Sequence, residues 1–293
     1  MESDPLIEAH RVKVAVGPKV LLEDISLQIS AGEVLAVVGP NGAGKSTLRK
    51  ALCGDVELSG GEVLMDRRTL SAWTLLERAR RRAVMPQDST LNFPFTVLEV
   101  VLMGRAPHLQ GAEGLIDYEI ARAALEAVEA RHLEERLYPT LSGGERQRVH
   151  LARVLAQVWE QPADGGRYLL LDEPTSNLDL AHQHSTLRVA RRFAREEAGV
   201  LVILHDLNLA AQYADRVVML NQGRIVNSGT PAEVLTLDAI YETFSVRVVV
   251  TKHPFMDCPL VVPVPELLAA QAGINVLRAP DKTSERPECR DRN

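Results

Sequence analysis

The sequence predicts an α/β fold built on a doubly wound, largely parallel sheet. Three uninterrupted apolar runs, 34–38, 168–171 and 200–204, carry that expectation. Each is bounded by turn signals, the pattern of a strand buried on both faces. The stretches between them read mostly as helices. A glycine-rich loop directly after the first run, opening a helix, is the other indication.

Taken in order, residues 6–16 and 20–29 alternate in part and read as extended segments before the Ala31-Gly32 turn. The run 34–38 follows, then the glycine-rich loop, then a helix over about 45–53 with Gly54 as its stop. Thr96 and Glu99 have capping-box spacing, and Gly104 is read as the end of that helix. Residues 117–131 place Ile120, Ala124, Leu125 and Val128 on one stripe. Ser142 and Glu145 make a second box, opening a helix to about Val158, and 160–167 reads as a loop. A helix ending at Gly199 is expected between the second and third apolar runs. Segments 216–220 and 224–226 flank Asn221-Gln222-Gly223, which suits a hairpin. Thr230-Pro231-Ala232-Glu233 combines an N-cap, Pro at the first helical position and a box Glu. Beyond about Pro265 the pattern weakens, and residues 279–293 read as a disordered tail.

Composition narrows the function classes. The chain of 293 residues is 46% apolar and 25% charged, ordinary for a globular protein. A net charge of −6 argues against coating nucleic acid, and 4% aromatics leaves few stacking platforms for single strands. No run approaches the ~18–20 apolar residues of a membrane span. The acidic start MESDPLIEAH is unlike a secretory signal. Cys53, Cys258 and Cys289 are odd in number and far apart, which suits a reducing cytosol.

The chemistry begins at Gly39-Pro40-Asn41-Gly42-Ala43-Gly44-Lys45-Ser46, which fits G-x-x-x-x-G-K-[ST] between a strand and a helix. Glycines let successive backbone N–H groups turn inward, and a helix N-terminus adds its positive dipole end. Lys45 is expected on the β- and γ-phosphates and Ser46 on Mg²⁺. The apolar strand before Asp172-Glu173-Pro174 delivers two carboxylates to the edge where doubly wound sheets bind ligands. Asp172 can hold the magnesium shell, leaving Glu173 to polarise an attacking water. Leu141-Ser142-Gly143-Gly144-Glu145-Arg146-Gln147 then exposes backbone N–H groups at another helix start, a second anion site.

These strings together resemble the ATP-binding cassette (ABC) ATPases. Residues 39–46 are similar to the family's Walker A loop, Gln87 to its Q-loop glutamine and 141–145 to its signature. Residues 168–173 are similar to Walker B, 176–179 to the D-loop, and His205 to the switch histidine. The resemblance covers about residues 6–250. It implies a phosphate-loop NTPase fold of ABC type over 1–264: a mixed central sheet with flanking helices, an antiparallel β subdomain, and an inserted helical signature subdomain at about 88–157. Residues 265–293 are then a C-terminal extension. The resemblance assigns Glu173, His205, Lys45 and Gln87 to catalysis. It assigns ATP contacts to Gly39 through Ser46, Thr47, Ser142, Gly143, Gly144, Glu145 and Asp179. Mg²⁺ falls to Ser46, Gln87 and Asp172.

In this family two cassettes pack head to tail, so a homodimer is implied, with the signature of one copy closing over ATP held by the other. A chain with no membrane span of its own implies docking, through the helical insert near Gln87 and the apolar 91–101, on two transmembrane permease subunits. That places it at the cytoplasmic face of the bacterial inner membrane, with no nucleic-acid partner. Two departures stand out. Val16 occupies the position before Gly17 where family members often stack adenine on an aromatic, and Asn177 replaces the more usual Ala of the D-loop.

Residues 86–101 resemble the iron-chelate and cobalamin importer group. Gly104-Arg-Ala-Pro-His108, the insert 161–167, Asp179-Leu-Ala-His-Gln-His184, the run 205–215 and the end 253–263 look most like the hemin importer ATPases. Hemin is the expected cargo, handed over indirectly by an outer hemin-binding protein. A ferric siderophore or cobalamin importer is the alternative, and a soluble ABC ATPase acting on nucleic acid or ribosomes is a different class. His182 and His184, at i and i+2, face different sides of a helix and are not expected to share a metal. His253 with Cys258 is read as structural rather than heme-binding, and Cys53 as a small buried hydrophobe.

Overall fold

The computed structural model describes residues 5–87, 93–176 and 178–264. Asn177, residues 88–92 and the segment 265–293 lie outside these. So do the start of the expected helical insert, the D-loop departure and the C-terminal extension.

The chain opens with an antiparallel pair, β1 (Pro5–Val16) and β2 (Lys19–Ser30). β3 (Val34–Val38) and α1 (Lys45–Cys53) follow, and Gly54 closes the helix in the left-handed region at φ 68°. β4 (Gly60–Met65) and β5 (Arg68–Thr69) complete an antiparallel sheet of order β2-β1-β4-β5. Next come α2 (Leu75–Arg81), β6 (Arg82–Met85), α3 (Val97–Leu102), α4 (Leu115–Ala127) and α5 (Gly143–Gln157). The second half runs β7 (Arg167–Asp172), α6 (Leu180–Arg195), β8 (Ala198–Ile203), α7 (Leu207–Tyr213) and β9 (Arg216–Asn221). β10 (Arg224–Gly229), α8 (Pro231–Val234), α9 (Leu237–Phe244), β11 (Val248–Lys252) and β12 (Pro259–Pro263) finish the described chain.

The central sheet has the order β10-β9-β3-β8-β7-β6. Every neighbouring pair in it is parallel except β9 with β10, so the sheet is mixed. The apolar runs have a simple cause. In β3, Val34, Ala36 and Val38 face one core while Leu35 and Val37 face another. β8 divides the same way, with Val200 and Val202 opposite Leu201 and Ile203. One core lies against α3–α7. The other lies between this sheet, α1 and the antiparallel sheet. Residues at period 2 thus bury on both sides, and no polar alternation survives.

Three expected boundaries differ. The helix opened by Thr96 does not stop at Gly104: α3 ends at Leu102 and a 3-10 turn continues over Met103–His108. Gly104 is needed for packing instead, since a Cβ there would stand 2.1 Å from the carbonyl oxygen of Arg153 on α5. The helix expected over 117–131 begins at Leu115 and ends at Ala127, though its buried stripe is as read. The helix before β8 ends at Arg195, not at Gly199, which is a strand residue packed on Ile29 and Ser30. Glu197 takes the left-handed position there at φ 62°. The β9–β10 hairpin turns through Gln222 (φ 46°) and Gly223 (φ 75°), as a two-residue turn with both φ positive requires.

Around α5 the helices are pinned by a buried Arg105, whose Nε donates to Asp117 at 2.9 Å and whose Nη1 donates to the Ala156 carbonyl at 2.8 Å. Among the described residues no helix is long and apolar enough to cross a membrane.

Candidate nucleotide site

The parallel strands place the chemistry. β3, β6, β7 and β8 all run in one direction, so their C-terminal ends share an edge. Gly39 follows β3, Gln87 follows β6, Asp172 ends β7 with Glu173 next, and His205 follows β8. Such an edge is where doubly wound sheets hold ligands.

A cleft of about 820 Å³ opens there, lined among others by Asn41, Gly42, Gly44, Lys45, Ser46, Thr47, Gln87, Glu173 and His205. Gly39, Pro40 and Ala43, of the same loop, do not line it. A Cβ at Gly39 would stand 2.1 Å from the Leu220 carbonyl oxygen, so only glycine lets the loop pass β9 that closely. Gly44 caps α1 in the left-handed region at φ 104°. The Lys45 ammonium donates to the carbonyls of Gly39 at 2.8 Å and Pro40 at 3.1 Å, spanning the loop from within. Burial pulls its pKa below the ordinary lysine range, while the Glu173 and Asp172 carboxylates push it back up.

Glu173 adopts φ 52°, an uncommon left-handed conformation for a residue with a side chain. Its N–H donates to the Ile203 carbonyl at 3.2 Å, and its carbonyl accepts from the Ser176 hydroxyl at 2.9 Å. The carboxylate is held at both oxygens. Gln87 Nε2 donates to Oε2 at 2.8 Å, and His205 Nε2 lies 2.5 Å from Oε1. Asp172 is buried; Oδ2 accepts from Arg49 Nε at 3.0 Å, and Oδ1 has no hydrogen-bond partner.

The second anion site stands apart. Ser142, Gly143, Gly144, Glu145 and Asp179 do not line the cleft. Ser142 caps α5 and forms the expected box: its N–H donates to Glu145 at 2.7 Å, which holds the Glu145 carboxyl below the usual range. Asp179 caps α6 and accepts from the His182 N–H at 2.9 Å. The two segments adjoin, since a Cβ at Gly144 would lie 3.3 Å from Leu178 Cδ2. On one chain, then, the segment that would close over phosphate is not part of the cleft that holds the phosphate loop.

Two residues of the site, Gln147 and Arg49, are not singled out by the motifs. Gln147, inside the signature string, donates from α5 to the carbonyl of Pro174 at 3.1 Å, joining the signature helix to the strand end of Glu173. The only sequence signal for Arg49 is its place as a charged residue one turn beyond Lys45, on the face of α1 that packs inward. The histidine pair separates as expected: His182 Nδ1 lies 2.8 Å from Asp179 and His184 Nδ1 lies 2.8 Å from the Tyr213 hydroxyl. His253 donates its N–H to the Cys258 carbonyl at 2.9 Å, a hairpin contact between β11 and β12. Cys53 is buried, and its thiol is pushed up to about 11 by that burial.

Residues 22–176 match the family described as ABC transporter. The chain belongs to the ABC transporter family. It is 55% identical to the hemin import ATP-binding protein HmuV of Gloeobacter violaceus over 92% of this chain and 98% of that protein. It is 53% identical to HmuV of Myxococcus xanthus, over 88% of this chain and 96% of the relative. Among solved structures, one chain from an inward-facing ABC transporter assigned to the metal-chelate type superposes with a TM-score of 0.76 at 26% identity, covering 90% of this chain and 99% of that one. The dimeric MJ0796, a bacterial ABC transporter cassette, superposes with a TM-score of 0.66 at 25% identity, over 77% of this chain and 98% of that cassette. The present chain is thus an ABC ATPase subunit that binds ATP, with the cassette fold described above.

Proposed function

We propose that this ABC subunit hydrolyses ATP to drive import of hemin, as a head-to-tail homodimer docked on two permease subunits at the cytoplasmic face of the inner membrane. The chemistry rests on one observation: a carboxylate at the strand edge, Glu173, gripped at both oxygens by Gln87 and His205 beside the phosphate loop. The cargo is supported by the relatives named for hemin import, which align over about nine-tenths of the chain.

In this reading Gly39 through Thr47 wrap the phosphates with backbone N–H groups, and Lys45 turns from the Gly39 and Pro40 carbonyls to the β- and γ-phosphates. The residues present fit Mg²⁺. Ser46 offers a hydroxyl, Gln87 an amide oxygen, and Asp172 a buried carboxylate oxygen left without a partner, a hard-oxygen set. Bound there, Mg²⁺ would neutralise charge on the β- and γ-oxygens.

Glu173 accepts a proton from the attacking water as its oxygen bonds to phosphorus and the bond to ADP breaks. His205 holds Glu173 Oε1 in place and would contact the γ-phosphate of bound ATP. Closure brings Ser142, Gly143, Gly144, Glu145 and Asp179 of the other copy over the nucleotide, so the exposed N-terminus of α5 meets the γ-phosphate with its dipole. That gives a purpose to two separate anion sites on one chain. The inserted helices, about 88–157, would carry Gln87 motion to the permease.

Growth on hemin as sole iron source tests the reading, in a deletion strain restored with the wild-type or the Glu173→Gln protein. A hemin-specific defect rescued only by wild type is expected. A siderophore or cobalamin defect with normal hemin growth would replace the cargo while keeping the motor.

A further inference from the structure

We propose that Arg49 is a positioning residue for the metal-binding carboxylate of Asp172, an inference that rests on the reading of Asp172 given above. Arg49 sits four residues after Lys45 on α1 and is 6% exposed. Its side-chain partners are Asp172 and Asp55, so it acts on the site through Asp172. A carboxylate on Cβ has a broad, two-fold torsional preference and would present either oxygen to a ligand unless tethered. Nε of Arg49 supplies the tether, at 3.0 Å from Oδ2.

The pairing is one-sided. A guanidinium usually grips a carboxylate with two parallel N–H bonds. Here Asp172 accepts from Nε, while Nη1, on the opposite side of the guanidinium, lies 3.5 Å from Asp55 just past α1. Oδ1 of Asp172 is buried with no partner, and a buried carboxylate oxygen left so is costly unless a cation takes it up. Asp55 holds the far side of Arg49, Arg49 holds one oxygen of Asp172, and the other oxygen is kept for the metal. This is the outer-shell logic by which groups behind a ligand set its orientation and the strength of the site, commonly by 10- to 100-fold.

The test uses the full chain, Mn²⁺ as a spin probe and a non-hydrolysable ATP analogue, with Mn²⁺ affinity read by electron paramagnetic resonance. Arg49→Met is expected to weaken Mn²⁺ by about tenfold, while analogue affinity in EDTA stays unchanged. Asp55→Asn, at a half-exposed position, removes the partner of Nη1 on the far side of the guanidinium and is expected to weaken Mn²⁺ by less than Arg49→Met does. If Arg49→Met fails to fold, Arg49→Lys carries the test: it keeps the charge without the fork and should also weaken Mn²⁺. Wild-type Mn²⁺ affinity in a folded Arg49 variant would overturn the proposal. So would an equal loss of analogue binding in EDTA, which would mark general damage. Asp172→Asn separates the two layers: if it leaves Mn²⁺ affinity intact, the reading of Asp172 itself is wrong, whatever the Arg49 variants do.

Discussion

Nε2 of His205 stands 2.5 Å from Oε1 of Glu173, across the gap between the ends of β8 and β7. The left-handed backbone at Glu173 and the Gln87 amide on Oε2 complete the hold. A group fixed this way is expected to act through its charge and basicity more than its shape. Glu173→Gln should therefore bind ATP normally, trap a closed dimer and lose turnover by about 10²- to 10⁴-fold, the usual scale for a general base. Turnover by purified protein and dimer mass with ATP check this, and a variant hydrolysing at the wild-type rate would remove Glu173 from its role.

The signature segment does not line the cleft on one chain, so each site is expected to need two copies. Ser142→Arg should abolish hydrolysis while leaving nucleotide binding to the monomer. Lys45→Ala should do the reverse damage, spoiling the loop and sparing the signature. Mixing the two inactive proteins should restore part of the activity, because one composite site then has an intact loop and an intact signature. Full activity of Ser142→Arg alone would refute the head-to-tail arrangement.

Gly104 is expected to be irreplaceable for stability but not for nucleotide binding. An added methyl would meet the Arg153 carbonyl oxygen at 2.1 Å, where two backbones cross and neither has a flexible end to yield. Gly104→Ala should cost about 1–3 kcal/mol, the range for overpacking a well-filled core. Urea unfolding measures the loss, and ATP affinity of the folded fraction should be unchanged.

That glycine shows where sequence reading runs out. Its place near a helix end suggests a stop signal, but its neighbour is 49 residues away on α5. Gly199 misleads similarly: the left-handed turn it would mark belongs to Glu197, and Gly199 is spent on sheet packing. The strands are legible because Leu35 and Ala36 bury on opposite faces, which erases polar alternation. The phosphate loop, Asp172, Glu173 and His205 are legible because their spacing and strand ends are local. Arg49 is not, because its meaning lies in Asp172, 123 positions on. The β11–β12 hairpin is not legible either. It is held by the Asn208 side chain, which donates to the Val261 carbonyl at 3.0 Å and accepts from the Val261 N–H at 2.7 Å, a contact across 53 positions.

Acid should loosen the helix starts together. The N–H groups of Thr74, Thr96, Ser142 and Thr230 donate to Glu77, Glu99, Glu145 and Glu233 at 2.7, 2.6, 2.7 and 2.8 Å. Each glutamate is held below its ordinary pKa by these bonds. A depressed folded-state pKa gives stability that is present above the unfolded value, about 4.3, and lost as pH falls through the folded one. Stability should thus decline from about pH 5 downward. The Glu→Gln variant of any box should lower the urea midpoint at pH 7 and lower it by less at pH 3. A midpoint shift of equal size at both pH values would contradict the ionised-cap account.

Base recognition should be permissive. Val16 is 62% exposed at the position where the family often stacks adenine, and the cleft near it is lined by Lys19, Val20, Leu21 and Gln222. None of these offers an aromatic face. A stacked ring contributes roughly 0.5–1.5 kcal/mol beyond its buried area, so its absence leaves phosphate contacts to dominate affinity. ATP and GTP are expected to bind with dissociation constants within about threefold of each other, since little free energy separates the bases here. Val16→Tyr should tighten ATP by roughly fivefold, the equivalent of about 1 kcal/mol, without changing turnover at saturation. Calorimetric titration of both nucleotides decides it. A GTP affinity far below that for ATP in the wild-type chain would mean that polar contacts, with Gln222 the residue placed to make them, read the base edge in place of the missing ring.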